Sequence, residues 1–151
     1  HSWKPTSYAI FSSNSASIKT LNPSKRNYGI DYVVATSGDP IHNWYPGRVT
    51  KVGAEGSYGN RCHVDFFIFF QLSSKFYRIK GAYAHAKSFS VQKGDYVKQG
   101  QYIGMMGGTG SGGRITFAVH VDFRLWINYG SRTVDLSPNV VEKQLRQQEN
   151  R

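Results

Sequence analysis

Residues 117–123, FAVHVDF, place a large apolar residue at every odd-numbered position. An alternation with a period of two is typical of a β-strand with one face in the core and the other towards solvent. His120 and Asp122 would then share the second face. The pattern continues across 114–127, for which we predict a long central strand. What His120 does on that face is the functional question that this segment raises.

The other strand-like segments predict an antiparallel, all-β domain. Residues 61–86 hold two β-rich segments separated by SSK, and we predict a hairpin there. Glycines recur regularly across 91–107, which predicts short strands joined by tight turns. Only the end of the chain favours a helix, because Ser137 is a good capping residue and proline follows it. We therefore predict an antiparallel sheet with a short C-terminal helix.

Length and composition fit one globular domain. The 151 residues are 39% hydrophobic, which is enough to build a core. We expect an irregular polar lead-in at 1–26 that holds at most one strand, a β domain at 27–138, and a polar tail or short helix at 139–151. No apolar run approaches the roughly 20 residues of a membrane span. The single Cys62 excludes a disulfide within the chain.

The charge of the chain favours anionic partners. The formal net charge is +10, which suits nucleic acid, anionic lipid or a cell-wall polymer. The Lys and Arg residues are scattered, however, and no motif of a DNA- or RNA-binding protein is present. We therefore do not expect nucleic acid as the partner.

A series of short motifs follows a fixed order along the chain: NYGID at 27–31, GDPI at 38–41, GRV at 47–49, YGN at 58–60, YAH at 83–85, VQKGDYVKQGQYIGMMGGTG at 91–110 and AVHVD at 118–122. This order resembles the lysostaphin/LytM-type zinc endopeptidases, which cut peptidoglycan cross-bridges. The stretch 91–110 is the most specific part of the resemblance, which covers about residues 27–138. The resemblance implies the antiparallel β-sheet of that family, a fold of the duplicated-hybrid-motif type.

The resemblance also implies a site. The family holds zinc with the His and Asp of its first motif and with the second His of its last motif. The equivalent positions here are Asn27, Asp31 and His120. The two catalytic positions of the family fall on His85 and Ala118. The groove around the site is expected to be lined by Tyr83, Asn60 and Thr109.

Two of these positions lack the histidine of the family. The carboxamide of Asn27 is a poor substitute for imidazole, and Asp31 and His120 alone would hold zinc weakly. Ala118 has no group that exchanges a proton, which should lower the rate on the order of 10²-fold or more. We therefore expect no bound zinc cofactor, and an interaction of Asp31 with His120 directly or through water. A rearranged metal site is less favoured, because His42 and His63 match no ligand position of the family.

Two classes of function follow from the resemblance. The first is a catalytically inactive, LytM-like domain that binds the cell wall or serves as an adaptor, either as in NlpD-like activators of amidases or in a phage tail tip or baseplate. Its partners would be peptidoglycan or another anionic envelope polymer, and a protein in a larger assembly. Its place would be the cell envelope outside the cytoplasm, or a virion tail. The alternative is an active zinc endopeptidase with altered zinc ligands, which keeps Asp31, His85 and His120.

Overall fold

The structure is a computed structural model that describes residues 16–22, 27–34, 40–136, 141 and 144. Most of the segments 1–26 and 139–151, which we separated from the β domain on sequence, lie outside the described residues. The strands are β1 Ala16–Asn22, β2 Asn27–Val34, β3 Pro40–His42, β4 Gly47–Ala54, β5 Asn60–Leu72, β6 Lys75–Phe89, β7 Tyr96–Val97, β8 Tyr102–Thr109, β9 Ile115–Tyr129 and β10 Arg132–Leu136. Two 3₁₀ turns lie at Gly56–Tyr58 and Ser111–Gly113.

The ten strands of the described residues form one sheet with antiparallel pairings. Eight follow one another in the order β1-β2-β9-β8-β6-β5-β4-β7, while β10 pairs with β9 and β3 with β8. Strand β9 also pairs with β6. Regular helix is scarce in the described part of the chain, where Val141 and Gln144 are helical. The predicted all-β fold class is confirmed.

Both long segments that the alternation predicted are strands. Strands β5 and β6 form a hairpin that turns at Ser73 and Ser74. Strand β9 is central, because it pairs with β2, β6, β8 and β10. The glycine-rich stretch is also as predicted, since Gly94 and Gly100 have φ angles of 98° and 75° on either side of the two-residue strand β7. Glycine adopts such angles without a steric penalty.

The core lies on one side of β5, β6 and β9. Trp44 packs between Phe66 and Phe123, with ring centroids 5.0 and 5.8 Å away. Tyr83 stacks on Phe123 at 5.0 Å. All four side chains are fully buried, and burial of such large rings is a major source of stability. Within the described residues, no helix has the length and apolar character that crossing a membrane requires.

Candidate functional site

The two faces of the central strands differ in chemistry. The register aligns His63 of β5, Ala82 of β6 and Arg124 of β9 across three strands. Residues directly opposite one another in an antiparallel sheet project to the same face. The other face carries the core residues Tyr83 and Phe123. We call the first face the groove face, and its central residues are Arg61, His63, Ala82, Ala84, Asp122, Arg124 and Trp126.

The register places two of the proposed metal positions on neighbouring strands. Asp31 of β2 lies opposite Asp122 of β9, and His120 lies opposite Val33. Asp31 and His120 are therefore diagonal neighbours, and such positions are roughly 7–8 Å apart. On its other side His120 lies opposite Gly107 of β8. The backbone thus brings Asp31 and His120 together, while the convergence of their side chains stays a prediction.

Asn27 and Ala118, the two proposed site positions that carry no histidine, lie on the same two strands as this pair. Asn27 lies opposite Asn22 of β1, and Asp31 lies opposite Thr20. Four residue steps along β2 therefore match two along β1, so the register of this strand pair is irregular between Asn27 and Asp31. Ala118 precedes His120 by two residues in β9, where strand alternation places both on the same face.

His85 is held in an unusual backbone conformation near the end of β6. Its φ angle is 64°, in the left-handed region that residues other than glycine adopt rarely and at a cost. Its Nδ1 lies 2.8 Å from the carbonyl oxygen of Thr109. Because a carbonyl only accepts, Nδ1 carries the proton of the neutral ring. The ring is buried and lies 6.4 Å from that of Tyr58, so the fold fixes both its tautomer and its direction.

Thr109 and Asn60, two of the predicted groove residues, support His85. The Thr109 hydroxyl donates to the carbonyl of Ala86 at 2.8 Å and accepts the backbone N–H of Asn60 at 3.1 Å. Gly59 approaches so closely that a Cβ built on it would lie 2.3 Å from the Thr109 carbonyl oxygen. The YGN motif therefore has a structural reason, which is the close contact with the residue that orients His85.

Tyr83, the third predicted groove residue, lies in the core instead. It is fully buried. Its hydroxyl donates to Asn43 Oδ1 at 3.0 Å and accepts the N–H of Trp44 at 2.7 Å. Tyr83 and His85 have the same parity along β6, but the left-handed φ of His85 breaks the alternation. The assignment of Tyr83 to the groove was wrong because the motif does not reveal that break.

A polar pocket lies further along the groove face, and of its lining residues only Tyr58 belongs to one of the motifs. We call it the arginine pocket, a cavity of about 330 Å³ that is lined by Tyr58, Arg61, His63, Arg124, Trp126, Thr133 and Asp135. Its residues come from segments far apart in sequence, and the pairing of β5, β6 and β9 brings them together. The alternation of each strand predicts which residues share a face, but only the register between the strands shows that these residues meet.

Glu55 organises one side of the arginine pocket. Its carboxylate accepts from His63 Nε2 at 2.7 Å and Arg61 Nη1 at 3.2 Å, and lies 3.8 Å from Lys51 Nζ. Burial raises the pKa of the Glu55 carboxyl, but the hydrogen bond from His63 and the charges of His63, Arg61 and Lys51 outweigh burial and lower the pKa overall. Glu55 therefore stays ionised at neutral pH.

Tyr58 contacts both arginines of the pocket. The guanidinium of Arg61 lies 3.9 Å from the centroid of the Tyr58 ring, in a cation–π contact. Arg124 Nη1 donates to the Tyr58 hydroxyl at 2.7 Å, and its Nη2 donates to Asp135 at 3.4 Å. Tyr58 thus connects both arginines with the region of His85.

The available donors do not fit a tightly held catalytic zinc. Such a site takes three imidazole, carboxylate or thiolate ligands. The matched positions supply one imidazole at His120, one carboxylate at Asp31 and a carboxamide at Asn27. The side chains of Asn27, Asp31 and His120 lie outside what the structure describes. Among the side chains that it does describe, no group of three or more His, Cys, Asp or Glu residues is placed to hold a metal ion.

Comparison with known proteins gives a consistent family match. The model of peptidase family M23 matches residues 25–135. The catalytic domain of the antimicrobial peptidase lysostaphin from Staphylococcus simulans is 24% identical with a TM-score of 0.62, over 85% of this chain and 89% of that one. A catalytic-domain mutant, alanine to histidine, of the prophage-encoded M23 protein EnpA from Enterococcus faecalis is 24% identical with a TM-score of 0.62, over 91% and 95% of the two chains.

A third similar structure is the SpoIIQ–SpoIIIAH pore forming complex, at 18% identity and a TM-score of 0.58, over 89% of each chain. Several other similar structures are longer, and the chain spans 37–56% of their length. A search of curated proteins gave no match. At these identities the structural matches establish the fold.

Proposed function

Because the chain belongs to peptidase family M23, we propose that it is a cell-wall-binding or adaptor domain of this family that does not hydrolyse peptidoglycan efficiently. The observation that carries the proposal is the loss of histidine at Asn27 and Ala118, one position for the metal and one for catalysis. Such a protein would lack one metal ligand and one proton-handling group, so both the metal site and the catalytic pair would be incomplete.

The groove itself argues for a retained binding role. His85 keeps its costly backbone conformation and its hydrogen bond to Thr109. The groove face carries a pocket in which Arg61 and Arg124 are positioned by several contacts. Such positioned cationic groups suit an anionic polymer such as peptidoglycan, and the net charge of +10 favours the same partner.

Two biological settings fit this role, and similar proteins suggest both. One is an adaptor in a protein assembly of the cell envelope, as an amidase activator would be. The SpoIIQ–SpoIIIAH complex has an M23-like fold within a protein complex. The other is a phage tail tip or baseplate that meets the cell wall, and one similar structure comes from a prophage-encoded M23 protein. The proposed location is accordingly the envelope or a virion tail.

Sedimentation with purified peptidoglycan sacculi, followed by zymography with added zinc, tests the proposal. We expect the protein to sediment with the sacculi and to leave them intact. An absence of sedimentation would contradict the binding role. Clearing of the sacculi that a chelator abolishes would contradict the inactive assignment.

The second candidate is an active zinc endopeptidase with altered ligands. The observation that favours it is His85, whose ring the fold still orients through Thr109. Stoichiometric zinc that survives dialysis, together with chelator-sensitive clearing, is the result that this candidate requires.

A further inference from the structure

We propose that the arginine pocket binds a free carboxylate of a cell-wall peptide, as a subsite separate from the proposed metal position. The inference rests on the proposed wall-binding function and names the group that this part of the groove recognises. Its cavity of about 330 Å³ is large enough for one amino acid residue of a peptide.

The arginine pocket lies on the path that a peptide would follow along the groove face. Arg124 is four residues beyond His120 on β9, which corresponds to about 13 Å along a strand. Between Arg124 and His63 the register places Ala82, whose side chain is small. An extended peptide whose middle lies at His120 would therefore place a group three or four residues away in the pocket.

Arg61 is the strongest sign of an anionic ligand. Its side chain is 9% exposed, and burial of a charged group is costly unless partners satisfy it. Among the described residues it donates a single hydrogen bond, from Nη1 to Glu55. Its Nε is buried and has no hydrogen-bond partner in that part of the chain. A guanidinium offers five N–H groups in a planar fork, so Arg61 has capacity that the described residues leave unused.

The charges around the pocket favour a singly charged ligand. Glu55 and Asp135 balance the formal charges of Arg61 and Arg124, and Lys51, whose Nζ lies 3.8 Å from the Glu55 carboxylate, adds one positive charge. A carboxylate matches the geometry of guanidinium forks and carries one negative charge. A phosphate carries more charge and would approach the two acidic side chains at a higher cost. The rings of Tyr58 and Trp126 supply apolar walls for the peptide next to the carboxylate.

The test uses the full chain, labelled with ¹⁵N, and two synthetic probes. One is N-acetyl-tetraalanine with a free terminal carboxylate, and the other is the same peptide as its terminal amide. We expect the acid to shift the indole N–H signal of Trp126 saturably. The amide should bind about tenfold more weakly or worse, because it cannot form charge-assisted hydrogen bonds with the guanidinium groups.

Substitutions locate the effect. Arg124→Gln should weaken binding of the acid about tenfold, and Arg124→Lys should also weaken it because lysine lacks the fork. Arg132→Gln makes the same change of charge at an exposed arginine on β10 outside the pocket, and should leave binding unchanged. The amide spectrum of each variant shows whether it is folded. If Arg124→Gln does not fold, the difference in affinity between acid and amide in the unchanged protein decides whether the pocket recognises the carboxylate.

Equal binding of acid and amide would overturn the inference, as would inorganic phosphate binding as strongly as the acid at the Trp126 signal. These results are independent of the sedimentation experiment. If the protein sediments with sacculi but binds acid and amide equally, the proposed function stands and only the carboxylate subsite is contradicted.

Discussion

At one end of the groove face, the register brings Asp31 and His120 onto neighbouring strands, while the proposed metal and catalytic positions Asn27 and Ala118 carry no imidazole. At the other end, Arg61, His63 and Arg124 lie in a dense network of hydrogen bonds and ion pairs. On the proposed function, the first end would lack the groups for hydrolysis while the second end keeps charged groups in place for recognition. The difference between the two ends leads us to propose that binding is separate from catalysis within one groove.

Restoring histidine at the first end should have the largest effect. Asn27→His together with Ala118→His should raise zinc affinity by more than about 100-fold, because loss of even an indirect partner of a zinc ligand costs 10–100-fold. Isothermal titration with zinc measures the change. The single Ala118→His variant is the control, since it adds a proton-handling group without the missing ligand. Equal zinc affinity of the double variant and the unchanged protein would contradict the assignment of Asn27.

The close contact between Gly59 and Thr109 lies beside His85. A single added methyl group, the Cβ of alanine at position 59, would break it. Gly59→Ala places Cβ 2.3 Å from the Thr109 carbonyl that holds His85. Gly56→Ala is the matched control, because the φ of Gly56, 53°, is close to the 64° of Gly59, while a Cβ built on Gly56 has nothing within 4 Å. We expect Gly59→Ala to lower the free energy of unfolding by about 1–3 kcal/mol more than Gly56→Ala. Urea denaturation measures both, and equal losses would show that the contact is unimportant.

Thr109 should show an effect no larger than that of Gly59→Ala. Thr109→Val leaves the backbone N–H of Asn60 and the carbonyl of Ala86 without their side-chain partner, which should lower the free energy of unfolding by about 1–3 kcal/mol. Thr109→Ser keeps the hydroxyl and should lose less than half as much. Denaturant titration of the two variants distinguishes the hydroxyl from the methyl group. A serine variant as unstable as the valine variant would assign the loss to packing instead.

The sequence predicted the strands well because alternation and glycine spacing are local signals. The strands at 61–86 and 114–127 needed nothing beyond the side-chain period of two. The arginine pocket could not be predicted in this way, since Arg61 and Arg124 meet only through the register across Ala82. The assignment of Tyr83 to the groove was wrong for a different reason. The left-handed backbone of His85 reverses the face of one residue, and no pattern in YAH indicates it.

The pH dependence of stability should show the smallest effect, at the side of the arginine pocket around Glu55. The folded-state pKa of Glu55 lies below its ordinary value of 4.5. A carboxyl group with a lowered folded pKa contributes stability that is complete above the unfolded pKa and is lost as the pH falls through the folded pKa. Glu55→Gln removes this contribution. Its stability deficit against the unchanged protein should therefore be constant above about pH 5.5 and should shrink as the pH falls below 4.5.

Urea titrations of the unchanged protein and Glu55→Gln between pH 3 and pH 7 measure that deficit. Its size should be below about 1 kcal/mol, because the Glu55 side chain is 28% exposed and solvent screens its ion pairs. Added salt should reduce it further at pH 7. A deficit that grows as the pH falls would show that the protonated carboxyl, and not the carboxylate, stabilises the network. In that case Arg61 would lack a charged partner at Glu55, and ion pairing would not be what positions the arginines at this end of the groove face.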